Sequence, residues 1–329
     1  MVIDDRQLKL ISLLSDGKFY SSSYLCAELS ISRAAISNRV ARLSVLGLHV
    51  DSVKGRGYCL RAPIELLDRV LISRSISEEC LAQIGVLSVV GSTVSTNEDA
   101  LNSGLLQGYG VYLSEYQTGG KGRRGKSWVQ GFGSGLAVSI VKDFELGLSR
   151  LSVMSLWVAV AVCEVLSVCY GEKFKIKWPN DIYVDNQKLA GILLEAKTEV
   201  GGQVRLVTGV GINYVKEHID GGGIDQPWVA LSQLTAVDHL GRNVLLAQII
   251  ERIMFYLSRV ASDDVGSDIS EHWAKYDYLT GRSISVESLG GSVVGMYEGL
   301  DLQGNLMLRT DDGVISVNAG EVSVRSVAY

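Results

Sequence analysis

The chain has 329 residues, 47% of them hydrophobic, and a net charge of −5. That length predicts two or three domains, and mixed charge with this much apolar residue excludes extensive disorder. Residues 1–62 carry a net +4, which leaves −9 on the remainder, so only the head is suited to approach a polyanion.

The first helical period is set by Leu8, Ile11 and Leu14–Ser15 and ends at Gly17. Ser21, Ser22 and Ser23 then supply an N-cap for a second helix with Leu25 and Leu29 on one face. Ser32 caps a third helix that runs to about Leu46, with Ile36, Val40 and Leu43 as its apolar stripe and Gly47 as its stop. Two short strands, Leu48–Val53 and Gly57–Leu60, flank a turn at Lys54-Gly55-Arg56. This order predicts a winged helix-turn-helix over residues 1–62. With Ser32, the polar face of the third helix presents Arg33, Ala34, Ser37, Asn38 and Ala41, small or hydrogen-bonding groups that suit DNA. Ser22, Ser23, Arg39, Arg42, Lys54 and Arg56 suit backbone phosphates. The competing reading is a solvated helix face in a module that binds protein. One such module binds DNA weakly, so a homodimer on a two-fold operator is expected.

Pro63 marks a boundary. Strands at Ile84–Val90, Val111–Glu115, Leu136–Val141, Lys175–Trp178, Asp181–Val184, Lys188–Ala196 and Val204–Gly211 alternate with helices at Leu151–Tyr170 and Val244–Val260. A hairpin turn is expected at Asp185-Asn186-Gln187. The mixed order predicts an α+β sheet domain over 63–272. Short alternating runs over 273–329, broken by Gly-Gly, Gln-Gly-Asn and Asp-Asp-Gly, predict a small all-β barrel.

Cys26, Cys59, Cys80, Cys163 and Cys169 form no C-x-x-C pair and read as reduced thiols of a cytoplasmic protein. Asp4, Asp5 and Arg6 interrupt any signal peptide. The apolar stretch Leu151–Cys163 is shorter than the roughly 20 residues a spanning helix needs, so it reads as a core helix and no membrane contact is expected. His49, His218, His239 and His272 show no metal-ligand spacing.

Four glycines and four cations crowd the loop Gly119-Gly120-Lys121-Gly122-Arg123-Arg124-Gly125-Lys126-Ser127-Trp128. Glycines let backbone N–H groups wrap a ligand, the cations suit phosphate oxygens, and Trp128 offers a flat face to a purine. The spacing is neither a P-loop nor a dinucleotide fingerprint, and the alternative is a flexible basic turn. Asn180 and Asp181 follow Pro179 at an irregular corner beside Lys177, either as a phosphate, ribose or Mg²⁺ site or as a capped turn. Lys188 opens a buried strand, where it meets an anion or snorkels to solvent. Gly209-Val210-Gly211-Ile212-Asn213 ends another strand with room for a ligand. Ser95-Thr96-Asn97 suits a urea-like group or a helix cap.

These motifs, in this order, resemble the bifunctional biotin–protein ligase and biotin operon repressor family over nearly the whole chain. Glu115-Tyr116-Gln117 with the loop to Trp128, Lys177–Asp181, Lys188–Glu195 and Gly209–Asn213 carry the resemblance. Ser32–Ile36 and Lys54–Tyr58 extend it to the head. The resemblance implies that Ser95, Thr96, Asn97, Gln117, Lys121, Gly122, Arg123 and Lys188 bind biotin. It places Arg124, Trp128, Lys177, Asn180, Asp181 and Asn213 on the ATP side, with Lys188, Arg123 and Asp181 as the catalytic groups.

The expected chemistry is ATP- and Mg²⁺-dependent formation of biotinyl-5′-AMP, then transfer to a lysine of biotin carboxyl carrier protein of acetyl-CoA carboxylase. The adenylate is also expected to act as corepressor, driving a homodimer onto operator DNA of biotin synthesis genes. The last domain is expected to be SH3-like. Three positions depart from the family pattern: Val94 stands for an Asp, Lys121 for an Arg, and Lys126-Ser127 for a more basic pair. The alternatives are a lipoate–protein ligase and a ligand-sensing regulator without ligase activity.

Overall fold

The computed structural model describes residues 3–104, 107–145, 151–171, 173–198, 203–216, 224, 226–235, 240–262, 269–288, 291–319 and 323–326. His218 and His239 lie outside them.

Helices α1 (Asp5–Leu14), α2 (Ser22–Leu29) and α3 (Arg33–Leu43) and the hairpin β1 (Val50–Val53) and β2 (Gly57–Leu60) make the head. Asp4, Ser21 and Ser32 each cap a helix, accepting from Gln7, Tyr24 and Ala35 N–H. The third helix tightens into a 3₁₀ turn at Ser44–Leu46 and stops at Gly47, whose φ of +80° suits glycine. Leu10, Ile11, Leu14, Leu25, Ile36 and Leu43 are fully buried and share one core with Phe132 of the central region. The head is therefore seated on the rest of the protein, with Phe132 N–H donating to Leu46 O at 2.9 Å.

The central region runs α4 (Arg69–Ser75), α5 (Glu78–Leu81), β3 (Ile84–Val90), α6 (Thr96–Leu101), β4 (Tyr109–Ser114), β5 (Gly135–Phe144) and α7 (Leu151–Tyr170). It continues through β6 (Lys175–Lys177), β7 (Asp181–Val184), β8 (Gln187–Thr198), β9 (Val204–Asn213), α8 (Arg242–Ser262) and α9 (Ser270–Tyr276). Its seven-stranded sheet has the order β3-β4-β5-β9-β8-β7-β6. Only β3–β4 is parallel; every other pair is antiparallel. The β7–β8 hairpin turns on Asp185 and Asn186, both at positive φ, as a two-residue turn that matches strand twist requires. Gln187 thus begins β8 rather than belonging to the turn.

Helix α7 is apolar on all sides because it lies between the sheet and α8. It is the one described helix long and apolar enough to cross a membrane, and 72% of Val153–Tyr170 is buried inside the protein. Burial explains its composition. Just past the end of β4 and at the start of β5, the buried Arg242 guanidinium donates to Glu115 Oε2 and to Gly135 O, both at 2.9 Å. Its backbone N–H donates to Glu65 Oε2. That knot joins β4, β5, α8 and the segment leading out of the head.

The C-terminal region corrects the expected SH3-like barrel. Strands β10 (Ser283–Ser288), β11 (Gly291–Leu300), β12 (Leu306–Thr310), β13 (Gly313–Val317) and β14 (Ser323–Ser326) form an open antiparallel sheet, β13-β12-β11-β10-β14. β13 and β14 are opposite edges, and no pairing joins them among the described residues. The physical reason lies in what covers the apolar face. Ile284, Tyr297, Leu306 and Leu308 join the core of the central region instead of closing on themselves. Trp178 Nε1 donates to Gly304 O at 3.1 Å, and Trp273 Nε1 to the Tyr297 hydroxyl at 3.1 Å. Alternation reports strands with one buried face; it does not report closure.

Candidate active site

A cleft of about 470 Å³ opens over β8 and β9, walled by the 119–128 loop, the start of α6 and the Lys177–Asp181 corner. Its floor depends on glycines. A Cβ on Gly211 would come within 2.6 Å of the Trp128 indole, and one on Gly191 within 3.3 Å. The indole therefore lies on two bare positions of adjacent strands, paired across the sheet as Gly191 and Gly211.

The loop is folded on itself. Gly122 N–H donates to Lys126 O at 2.7 Å and Trp128 N–H to Gly120 O at 2.8 Å. Arg124 sits at φ +58°, an exposed residue on the cleft wall. Gly119 N–H donates to Val94 O at 2.9 Å, which ties the loop's start to the Ser95–Asn97 segment. Exposed Val94, the departure from the family's Asp, thus contributes its backbone to the loop. Lys121 pairs with Glu98, and that hydrogen bond holds the ammonium's pKa above its usual value.

One end of the cleft is neutral and polar. Gln117 Oε1 accepts from Thr96 N–H at 2.9 Å and lies 3.2 Å from the Thr96 hydroxyl. Ser139 Oγ lies 2.7 Å from Thr96 Oγ1 and 2.6 Å from Asn97 Oδ1, while Asn97 Nδ2 donates to Glu195 Oε2 at 2.7 Å. Ser95 occupies the N-cap position of α6 without a capping hydrogen bond from its side chain. The cap alternative for this hydroxyl is thereby not realised.

The other end is charged. Lys188 Nζ and Asp181 Oδ1 are 2.8 Å apart. Arg123 reaches Asn180 Oδ1 at 3.4 Å and donates to the Ala319 carbonyl of the C-terminal region. Burial lowers the Arg123 pKa, opposed by the nearby Asp181 carboxylate. Lys177 Nζ stands 5.5 Å over the Tyr183 ring. Asn213 lines the cleft but is buried, its amide donating to Val229 O at 3.1 Å and Lys188 O at 3.4 Å, so it pins the backbone there. Every expected ligand residue of this domain therefore lies on one cleft.

Sequence reasoning missed Ser139, Glu195, Gln226 and Trp228. Ser139 had a signal, a lone hydroxyl within an apolar strand, and Glu195 closed a motif already singled out. Gln226 and Trp228 lie in an irregular segment fixed by Lys188 N–H donating to Pro227 O at 3.0 Å. No periodicity marks that contact. Among the described residues no group of three His, Cys, Asp or Glu converges on a metal position.

In the head, Arg33, Ala34, Ser37 and Asn38 are exposed on one face of α3 beside Ser32, and Lys54 and Arg56 are exposed at the hairpin turn. Ser22 and Ser23 open α2, where Ser23 Oγ accepts from Arg33 at 2.9 Å. Arg56 lies 4.0 Å over the Phe19 ring. Arg39 differs from its neighbours: it holds Asp4 at 2.7 and 3.0 Å and Gln7 at 3.2 Å. It fixes α3 to the start of α1.

The sequence matches an HTH domain at residues 6–59, the biotin/lipoate A/B protein ligase family at 86–213 and the biotin protein ligase C terminal domain at 280–325. It is 34% identical to the bifunctional ligase/repressor BirA of Salmonella typhimurium over 319 residues, covering 97% of each chain. It is 33% identical to that of Escherichia coli over 322 residues, again covering 97% of each. The fold is similar to that of a biotin protein ligase from Aquifex aeolicus in complex with biotin and ATP, with a TM-score of 0.60 and 24% identity. That match covers 74% of this chain and 99% of the other.

Proposed function

The chain belongs to the bifunctional biotin–protein ligase/repressor family, and from that premise we infer how its cleft works. The protein is an ATP-dependent biotin–protein ligase that is also a DNA-binding repressor. Biotin's carboxylate oxygen attacks the α-phosphorus of ATP, pyrophosphate leaves, and biotinyl-5′-AMP forms. The lysine amine of biotin carboxyl carrier protein then attacks the acyl carbon, and AMP leaves.

The observation that carries the site assignment is the polarity of one cleft. Thr96 and Gln117 offer neutral hydrogen bonds at one end; Arg123 and Lys188 offer charge at the other. A bicyclic urea with a carboxylate tail has that same order of groups. Ser95, Thr96, Asn97 and Gln117 hold the ring, and Lys121-Gly122-Arg123 cover the tail. Lys188 and Arg123 neutralise charge on the carboxylate and α-phosphate as it develops. Arg124, Trp128, Lys177, Asn180 and Asp181 serve the nucleotide, with Asn213 acting through Lys188's backbone. Asp181 orients the attacking amine. Mg²⁺ fits here as an ion carried chiefly by the phosphates, since Asp181 is the one carboxylate among the described cleft-lining residues. Bound there, it would neutralise phosphate charge.

The head reads operator DNA through Ser32, Arg33, Ala34, Ser37 and Asn38, with phosphate contacts from Ser22, Ser23, Arg42, Lys54 and Arg56. Arg39 supports that helix through Asp4. Adenylate binding favours a homodimer, which matches a two-fold operator. A cytoplasmic location is the reading that ATP and a carboxyl carrier protein as partners support. The division at residues 62 and 272 is supported by the separate spans of the three family matches. Biotin-dependent exchange of pyrophosphate into ATP tests the reading; exchange with lipoate and none with biotin overturns it.

A further inference from the structure

The neutral end of the cleft contains more hydrogen-bonding order than a ring pocket needs, and that order begins at a residue outside the cleft lining. Glu195 is an acceptor when ionised, so the atom of Asn97 that faces it at 2.7 Å must be the amide nitrogen. A second acceptor, Leu193 O, lies 3.4 Å from the same nitrogen. Asn97 Oδ1 is therefore turned towards Ser139, at 2.6 Å. The place for that amide is cut into the sheet: a Cβ on Gly209 would come within 2.2 Å of Asn97 Oδ1.

Ser139 lies within hydrogen-bond distance of both Asn97 Oδ1 and Thr96 Oγ1, but its hydroxyl has one proton. Asn97 Oδ1 can only accept, so Ser139 donates there. The 2.7 Å contact between Ser139 and Thr96 must then use the proton of Thr96. Gln117 Oε1 accepts the Thr96 backbone N–H at 2.9 Å and stands 3.2 Å from the Thr96 hydroxyl, a longer contact for that proton than the one to Ser139. The result is a one-way chain, Thr96 to Ser139 to Asn97 to Glu195, that leaves the Thr96 oxygen facing the cleft as an acceptor only.

We propose that Glu195 is a positioning residue that sets the direction of this chain, so that Thr96 accepts a ring N–H of the ligand. The inference rests on the biotin reading above and deepens it, because a cyclic urea carries N–H groups on its ring. Without the carboxylate only Leu193 O, at 3.4 Å, holds the Asn97 nitrogen, and the amide can turn over. Its nitrogen then donates to Ser139, Ser139 donates to Thr96, and the Thr96 proton swings out of the chain to the side of the cleft and of Gln117 Oε1, 3.2 Å away, where a lone pair stood before. An N–H facing it becomes unmatched, and buried unmatched donors are costly.

The test compares biotin with two cyclic carbamate analogues, each with one ureido N–H replaced by a ring oxygen. The wild-type enzyme should discriminate against the analogue whose oxygen meets Thr96. In Glu195→Ala the KM for biotin should rise about tenfold, the worth of one such hydrogen bond, and the preference over that analogue should shrink by a similar factor. The KM for ATP should not move. Glu195→Gln, whose Oε1 still accepts from Asn97, should recover most of the loss. In an Asn97→Ala background the Glu195→Ala effect should vanish. An unchanged biotin preference in Glu195→Ala, or equal rises in the KM for biotin and ATP, overturns the proposal while leaving the ligase reading intact. Failure of the wild type to use biotin sinks the ligase reading itself.

Discussion

Lys188 Nζ stands 2.8 Å from Asp181 Oδ1, with the lysine at the mouth of β8 and the aspartate at the start of β7. Both side chains are mostly buried, at 16% and 25% exposure, so the pair is held in place before any anion arrives. A flexible surface lysine would lose side-chain entropy on each binding event; this one has already lost it.

Lys188→Ala should lower kcat/KM for biotin by about 10²–10³, the usual cost of losing one preorganised charge donor at a developing anion. Asp181→Asn should cost less and should raise the KM for ATP or acceptor before it affects that for biotin. Steady-state kinetics of adenylate formation and of acceptor labelling, measured separately, check both.

Trp128 depends on the two glycines beneath it. Gly211→Ala, whose Cβ would come within 2.6 Å of the indole, should displace Trp128 and raise the KM for ATP. Gly191→Ala, at 3.3 Å, should do so far less. Overpacking of this kind costs about 1–3 kcal/mol. Equal effects from the two substitutions would show that the indole does not need that seat.

The head and the catalytic region share a core at Phe132, whose backbone N–H also meets Leu46 O. Phe132→Ala should destabilise the protein by about 3–5 kcal/mol, as large-to-small changes in a packed core do. Because Tyr116 packs on the same core and precedes Gln117, biotin affinity should fall as well. Thermal denaturation and biotin binding by calorimetry read the two effects. Removing residues 1–62 should abolish operator binding and reproduce both losses, with some ligation retained.

Much of this was legible in the sequence because its physical signatures are local. Leu8, Ile11 and Leu14 mark a helix by period, and the glycines and cations from Gly119 to Trp128 mark a ligand loop by composition. Strand β3 and helix α7 were predicted at their observed limits. The short helices α4, α5 and α9 were missed and α6 was touched only through the cap alternative at Ser95, since seven residues or fewer show no clear period. Long-range pairings were equally silent: Arg242 with Glu115, Asn97 with Glu195, and Trp178 with Gly304 join residues far apart in the chain. The last of these helps explain why the C-terminal sheet stays open. Its apolar face was read from alternation, but its covering partner was not.

Asp277 is buried at that junction. Burial raises its carboxyl pKa above the ordinary value of 3.8, even though Leu279 N–H donates to it at 2.8 Å. The native state therefore binds this proton more tightly than the unfolded chain, so ionisation costs stability as pH rises from 3.8 through the raised native value, and the loss is constant above it. Asp277→Asn should gain stability relative to wild type across that window and hold the difference at higher pH. Chemical denaturation at a series of pH values reads the slope; a difference that is flat or falls with pH would place the charge elsewhere.

The central claim is that this single cleft activates biotin and hands it to a lysine. Its most direct test is mass spectrometry of a biotin carboxyl carrier fragment after incubation with the enzyme, ATP and biotin. The account predicts one biotinyl group on one lysine, with AMP and pyrophosphate released, and loss of the product in Lys188→Ala. An unmodified fragment, or a lipoyl adduct formed when lipoate replaces biotin in place of any biotinyl adduct, would contradict it.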